Sequence, residues 1–389
     1  MGGNQVRFRT SWGRVGVTPQ SKEKEGNAKE VERLIQEKRA KGYQELDLHV
    51  PEISVATPAT PAAPQCPPKV TALLDMIFKE AGESIAGYLA VSVDALSQSQ
   101  ITYGRDLLEQ TVRRYQLWKQ TQSQADFSTV VTSVKDFYNA IPTQLPHNLR
   151  DSSVLENVVL RFCQDFAEQE TRLNQLEAAL ATSSTATPSR TAMPTPYQLL
   201  GAGIVPLSQN DTAYEKIADF LAKTSRHGYA IRVRDIFEIE VPSERAAFKA
   251  NTFGANQILR LTHGTNNANI RHILHERGNG SGLRVPRSYT NGWMFGPGIY
   301  FANVASKSAQ YCRHQQGHPR MMFLADVAVG NMYITPEAMS SCNTAPQGYH
   351  SVWGKEQHTT SWGGKLAYDE FIVYRAEQQS LRYLITWDA

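Results

Sequence analysis

The sequence predicts a multidomain chain in which a small α+β module precedes an all-α bundle and then an α+β domain built on antiparallel strands. Three observations carry that expectation. Apolar residues recur at helical spacing from Val70 to about Lys223, the one-faced period of a packed helix. Beyond that stretch come short apolar or alternating runs bounded by Gly, Asn and Pro, which is how strands read. Ahead of it, residues 51–68 hold six prolines among Ala and Thr, a composition that favours extended, solvated backbone over packed structure. The division that follows is a module over 1–50, a linker over 51–68, a bundle over 69–225 and an α+β domain over 226–389.

Taken in order, Val6-Arg7-Phe8-Arg9 alternates apolar and basic residues like a half-exposed strand, and Trp12-Gly13-Arg14-Val15-Gly16 reads as a turn. Val31, Leu34 and Ile35 predict a helix from Ala28 to Lys41, with Gly42 as its C-cap. In the bundle, Ile101, Leu108, Val112, Tyr115 and Trp118 mark one helix, which Ser97 to Gln100 opens as a capping box. Phe127, Val130, Val134, Phe137 and Ile141 mark another. Val158, Phe162, Phe166, Leu173 and Leu176 predict a single long helix from about Val154 to Leu180, ending at a Ser/Thr/Pro loop over 182–196. On residue pattern alone this segment is a structural all-α domain. The C-terminal strands are expected at Ile258 to Leu261, Gly298 to Phe301, Met322 to Val329, Phe371 to Tyr374 and Leu381 to Trp387, with helices after Asn269 and after Ser306.

The bulk composition decides little. With 40 Lys plus Arg against 37 Asp plus Glu, the formal charge is only +3, so nucleic-acid binding has to come from a local patch. The four cysteines, at 66, 163, 312 and 342, form no C-x-x-C pair, which suggests neither a disulfide framework nor a Cys-rich zinc site. His314 and His318 lack the Glu of a zincin between them, and no metal is expected. Gly201-Ala-Gly203 and Gly278 to Gly282 do not complete a dinucleotide fingerprint. No apolar run approaches the roughly 20 residues that span a bilayer, and the first residues have no signal-type apolar core. The expectation is a soluble intracellular protein without membrane partners, nuclear in a eukaryote and cytoplasmic in a bacterial or viral setting.

Three short motifs of the last domain bear on chemistry. Thr262-His263-Gly264-Thr265 ends a strand, and Gly after His lets a ligand reach the backbone N–H and C=O. Gly292 to Phe301 couples an aromatic, Gly-rich loop to a strand, followed by Ser306-Lys307-Ser308 and Tyr311. Aromatic faces can sandwich a planar ring and a Ser hydroxyl can orient a carboxamide, although residue type alone allows both tyrosines a core role equally well. Tyr368-Asp369-Glu370-Phe371-Ile372-Val373-Tyr374 opens a strand with paired carboxylates. Those are either solvated charges at a strand end or a cleft carboxylate that binds a ribose hydroxyl and stabilises an oxocarbenium-like carbon.

In their order along the chain these motifs resemble the poly(ADP-ribose) polymerase family, specifically its DNA-dependent branch, and the resemblance covers nearly the whole sequence. It implies a WGR-like domain over 1–50, a helical regulatory domain over 69–225 and an ADP-ribosyltransferase catalytic domain over 226–389, with NAD+ as substrate. The catalytic set implied is Glu370, His263, Tyr300 and Lys307. Gly264 would clamp the nicotinamide carboxamide with Ser308, Tyr311 and Tyr300 would hold its ring, and His263, Thr265, Asn269 and Arg284 would serve the rest of the dinucleotide. Trp12, Arg14, Arg7 and Arg9 would contact DNA ends or nicks, and protein acceptors would include the chain itself. The resemblance also leaves open a mono-ADP-ribosyltransferase, since the segment from Val352 to Tyr368 is shorter than the family's usual acceptor loop, and a DNA-end-binding scaffold with an idle transferase fold.

Overall fold

The computed structural model describes residues 6–12, 20–40, 66–146, 148–184, 196–226, 230–251, 257–276, 281–286, 293–357 and 366–389. At the N-terminus β1 (Val6–Trp12) pairs antiparallel with β2 (Gln20–Gly26), with Trp12 opposite Gln20, and α1 (Ala28–Ala40) follows. The expected C-cap Gly42 lies outside the described residues.

The bundle comprises α2 (Pro68–Tyr88), α3 (Gln98–Thr121), α4 (Gln124–Ala140), α5 (Ser152–Gln164) and α6 (Phe166–Ser184). The capping box at Ser97 forms as expected: Ser97 Oγ accepts from the Gln100 N–H at 3.2 Å, and Gln100 Oε1 accepts from the Ser97 N–H at 2.9 Å. One correction concerns the long helix expected over 154–180. Asp165 breaks it, with φ −139° and ψ 76°, and its carboxylate accepts from the Glu168 N–H at 2.9 Å. That is an N-cap satisfying a donor of the next helix. The bend lets Phe162 and Phe166 join one core with Phe137, Leu108 and Leu173. At its far end α6 runs on to Ser184, so the loop expected from residue 182 begins later.

The remaining elements are α7 (Pro196–Leu200), β3 (Gly203–Pro206), α8 (Thr212–Lys223), β4 (Arg232–Glu240), α9 (Pro242–Ala250), β5 (Ile258–Gly264) and α10 (Ile270–Leu274). They continue with β6 (Ile299–Phe301), α11 (Ala305–Ala309), β7 (Arg320–Ala328), β8 (Met332–Thr335), β9 (Ser351–Gly354), β10 (Glu370–Val373) and β11 (Gln379–Asp388). One antiparallel sheet has the order β3-β4-β11-β7-β5, and a second has β6-β10-β9-β8. The strands are antiparallel as expected except for the parallel pair β8–β9.

Alternation along β7 explains its apolar run from Met321 to Ala325. Met321, Phe323, Ala325 and Val327 face a core shared with the second sheet, whereas Met322 and Leu324 face a core closed by Ile217 and Leu221 of α8 and by Ala305 and Ala309 of α11. Over that stretch the strand is covered on both faces and has no polar positions to alternate with.

The five-stranded sheet draws on residues before 226. β3 is the edge strand of the five-stranded sheet, with Ile204 opposite Ile239, and α8 packs on the same sheet. Helix α2 also crosses the expected division. Its Val70, Leu73, Leu74 and Ile77 are buried in the inter-sheet core, and Ile85 and Tyr88 in the bundle core.

Candidate active site

A cavity of about 450 Å³ opens where the two sheets diverge, lined by the ends of β5, β6, β10 and α11, by residues 282–286 and by one face of α6. That size is ordinary for a small-molecule site. The sheets are tied at its floor by backbone hydrogen bonds between Thr262 and Ala302 in both directions, at 2.8 and 3.0 Å. All ten residues expected to act on the dinucleotide line it: His263, Gly264, Thr265, Asn269, Arg284, Tyr300, Lys307, Ser308, Tyr311 and Glu370.

Strand register places the two central residues. Tyr300 stands opposite Ile372 across the β6–β10 pair, and Glu370 is two residues before Ile372. A strand's period of two puts all three on one face. Glu370 is only 7% exposed, and its Oε1 lies 2.6 Å from Lys307 Nζ. Burial opposes the lysine charge, but the hydrogen bond and charge of Glu370, with Tyr311 nearby, outweigh it and hold the ammonium above its ordinary range. Tyr300 donates its hydroxyl to the Gly296 carbonyl at 2.7 Å and accepts from the Phe295 N–H at 3.1 Å. Burial, partly offset by that N–H, raises its pKa and keeps it a neutral phenol.

His263 Nδ1 is 2.8 Å from the Tyr300 carbonyl oxygen. A carbonyl can only accept, so Nδ1 carries the proton. Burial holds the imidazole below its usual pKa, against the contribution of that hydrogen bond, and the neutral ring presents Nε2 as an acceptor. Gly264 allows β5 to touch α11, since a Cβ there would stand 1.8 Å from the Ser308 carbonyl oxygen. Ser308 Oγ in turn lies 2.8 Å from Thr262 Oγ1. Tyr311, by contrast, is 54% exposed at the rim, with the Lys307 ammonium 5.3 Å from its ring centre.

At the other end of the cavity Asn269 donates to Thr265 Oγ1 at 2.9 Å and accepts from Gln175 Nε2 at 2.9 Å. Arg284 donates to Asn174 Oδ1 at 3.0 Å and to Glu177 Oε2 at 3.3 Å, and Arg105 of α3 reaches the same pair. The sequence pointed to Asn269 and Arg284 here but to none of the α6 residues they meet. Ala167, Glu170, Thr171 and Asn174 form a wall of the cavity from α6. The helical pattern marked Leu173 and Leu176 as buried but carried no sign that the opposite face meets a site. Trp293 also lines the cavity without having been singled out.

In the N-terminal module Arg7 pairs with Glu25 and Arg9 with Glu23 in backbone register, whereas Gly13 and Arg14 lie outside the described residues. Among the described residues no group of three or more His, Cys, Asp or Glu is placed to hold a metal ion, and no helix is long and apolar enough to cross a membrane.

A split antiparallel sandwich with a Gly-floored cleft, a His at one strand end and a Lys-paired Glu at another defines an ADP-ribosyltransferase-type domain. Comparison with known proteins places it more narrowly. Residues 211–389 match the family model for the poly(ADP-ribose) polymerase catalytic domain, and residues 2–49 match that for the WGR domain. The chain thus carries a poly(ADP-ribose) polymerase catalytic domain together with a WGR domain. It is 24% identical to poly [ADP-ribose] polymerase 1 of Oryza sativa subsp. japonica over 359 residues, covering 82% of this chain and 35% of the relative. It is 28% identical to poly [ADP-ribose] polymerase 2 of Arabidopsis thaliana over 218 residues, 49% of this chain and 33% of the relative. Against poly [ADP-ribose] polymerase 1 of Caenorhabditis elegans identity is 32% over 224 residues, 49% of this chain and 22% of the relative. The chain thus spans about a third or less of these curated relatives.

Proposed function

We propose that the chain cleaves NAD+ and transfers ADP-ribose to protein acceptors, itself included, extending the product into a polymer when its WGR domain engages DNA ends or nicks. The observation that carries this reading is the Lys307–Glu370 pair, 2.6 Å apart at the cavity floor. Nicotinamide binds with its carboxamide on the Gly264 backbone and the Ser308 hydroxyl, its ring between Tyr300 and Tyr311. His263 Nε2 accepts a hydroxyl of the adenosine-side ribose, while Asn269 and Arg284 hold the adenosine half. Glu370 accepts the 2′-hydroxyl of the nicotinamide ribose.

The bond from the ribose C1′ to nicotinamide breaks with its electron pair leaving on the ring nitrogen. Positive charge develops on C1′, and the Glu370 carboxylate stabilises it. An acceptor oxygen or nitrogen then bonds to C1′ and loses its proton towards Glu370. Contributions of this kind are typically worth about 10² to 10⁴ in rate.

The hydrogen bonds from α6 to Asn269 and Arg284 support a gated enzyme, because the bundle holds the same side chains the adenosine half needs. In that reading the WGR domain, through Trp12, Arg7, Arg9 and Arg14, conveys DNA binding to the bundle. Taking an open state from about 1% to 99% requires a preference of about 5.5 kcal/mol.

A second reading is mono-ADP-ribosylation, favoured by the short segment between β9 and β10. Nicotinamide release measured with and without nicked or blunt-ended DNA, with products resolved on a gel, separates the two. DNA-stimulated release with a ladder supports the gated polymerase. DNA-independent release with one discrete modified band supports the mono-transferase, and no release in either condition leaves a DNA-binding scaffold.

A further inference from the structure

Glu80 sits in α2, far along the chain from the catalytic strands, yet it is 2% exposed. One of its oxygens, Oε1, accepts from Asn267 Nδ2 at 3.0 Å and lies 2.7 Å from His318 Nδ1. Asn267 is fully buried and uses every polar position of its side chain. The second Nδ2 hydrogen goes to the Pro319 carbonyl at 2.9 Å, and Oδ1 accepts from the Met321 N–H at 3.1 Å. Its backbone N–H is spent on the Arg313 carbonyl at 2.8 Å. Asn267 therefore nails the short turn Asn267–Asn269 to the start of β7, with Glu80 as the outer clamp. Two residues on, Asn269 reaches the cavity with Thr265. The grip is reinforced one turn away, where the Arg271 guanidinium lies 4.4 Å from the ring centre of Phe78, also on α2.

We infer that Glu80 is a positioning residue for the adenosine half of the dinucleotide site, acting through Asn267 on the turn that carries Asn269. The inference rests on the NAD+ reading of the cavity. A buried carboxylate with its partners satisfied costs little, whereas removing it leaves an Asn267 N–H without an acceptor in a dry interior. That donor is regained by rotating the amide, and rotation breaks the bond to Met321 and shifts the turn. Because one oxygen does both tasks, a glutamine amide oxygen can replace it. The carboxamide end of the cavity, on Gly264 and Ser308, is held by different bonds and does not depend on Glu80.

The test compares, with nicked DNA present to open the gate, the full chain with its Glu80→Ala and Glu80→Gln variants in binding a benzamide, which needs only the carboxamide end, and a non-hydrolysable NAD+ analogue, which needs both. In Glu80→Ala the analogue weakens about tenfold while the benzamide stays within about twofold, KM for NAD+ rises with kcat nearly unchanged, and Glu80→Gln restores the analogue. Equal weakening of both ligands, or of neither, overturns the inference. If the unsubstituted chain binds neither ligand, the NAD+ reading itself fails, and hydrogen exchange over residues 265–272 decides on Glu80. Faster exchange there in Glu80→Ala with other segments unchanged supports positioning, and unchanged or uniformly faster exchange overturns it.

Discussion

Lys307 Nζ lies 2.6 Å from Glu370 Oε1, with the two side chains 18% and 9% exposed. A pair so little hydrated fixes the carboxylate's direction, because swinging it away would leave a charge alone in a poorly solvated cleft. Glu370→Gln is expected to keep the affinity for a non-hydrolysable NAD+ analogue and to lose about 10² to 10⁴ in nicotinamide release. Lys307→Gln should lose less, about tenfold, through disorder of the carboxylate. Titration calorimetry paired with a nicotinamide assay checks both, and a Glu370→Gln enzyme still making long polymer would remove Glu370 from the mechanism.

Gly264→Ala meets backbone, since the new Cβ falls 1.8 Å from the Ser308 carbonyl oxygen. Neither strand end nor helix can yield without disturbing the Thr262–Ser308 contact. The expected outcome is a loss of at least about 3 kcal/mol, the upper end of overpacking, with benzamide binding abolished. Denaturant unfolding and benzamide titration read the two effects separately.

Glu177 and Asn174 share Arg284 and Arg105. Glu177→Ala releases Arg284 towards the cavity and loosens α6, and DNA-free NAD+ turnover should rise about fivefold or more, a coupling of about 1 kcal/mol. No rise in the DNA-free rate would mean that α6 does not gate the site.

Glu244 gives a pH dependence. It is buried beneath residues 281–283, accepts from the Leu381 N–H through both oxygens at 3.1 and 3.3 Å, and burial raises its pKa to about 8 despite those hydrogen bonds. The folded chain therefore holds a proton that the unfolded chain releases near its ordinary value of 4.5. Its contribution is fully present below that value, declines as pH rises, and is lost once pH passes about 8. Glu244→Gln keeps an acceptor for Leu381 and has no proton to lose. Thermal unfolding between pH 5 and 9 should show a shallower fall for the variant; parallel curves would place the titration elsewhere.

DNA binding by the WGR domain is expected to weaken with salt by a log–log slope of about −0.9 per phosphate neutralised, hence about −2.7 if Arg7, Arg9 and Arg14 each meet one. Fluorescence anisotropy over a salt series measures it. A flat series would exclude these phosphate contacts.

The apolar runs that become β5, β7 and β11 were legible because their periodicity is local, and so was the Ser97 cap. Glu370 was legible as a carboxylate opening a strand, whereas its partner Lys307, which reaches it from α11, was pointed to by the family resemblance and by no local pattern. Asp165 illustrates a cue that was present and outweighed. It sits before Phe166 as an N-cap should, but the apolar spacing of Phe162, Phe166 and Leu173 continues smoothly across it. β4 alternates visibly between Arg232 and Glu240, yet its place beside β11 depends on contacts about 150 residues apart. The α6 wall of the cavity, and Glu80 behind it, had no local signature at all, because a polar residue facing a neighbouring domain looks in one dimension like one facing water.

Helix α2 has a bearing on how the protein can be cut. Excising residues 69–225 as a removable regulator would strip Val70, Leu73, Leu74, Ile77, Leu200 and Ile204 from the inter-sheet core. At roughly 1.5 to 3 kcal/mol for each large side chain, that is on the order of 10 kcal/mol, as much as a domain's whole net stability. What looks in sequence like a detachable inhibitor is in part a beam of the transferase itself. An activated fragment has to keep the first turns of α2 together with β3, and lose only the helices between.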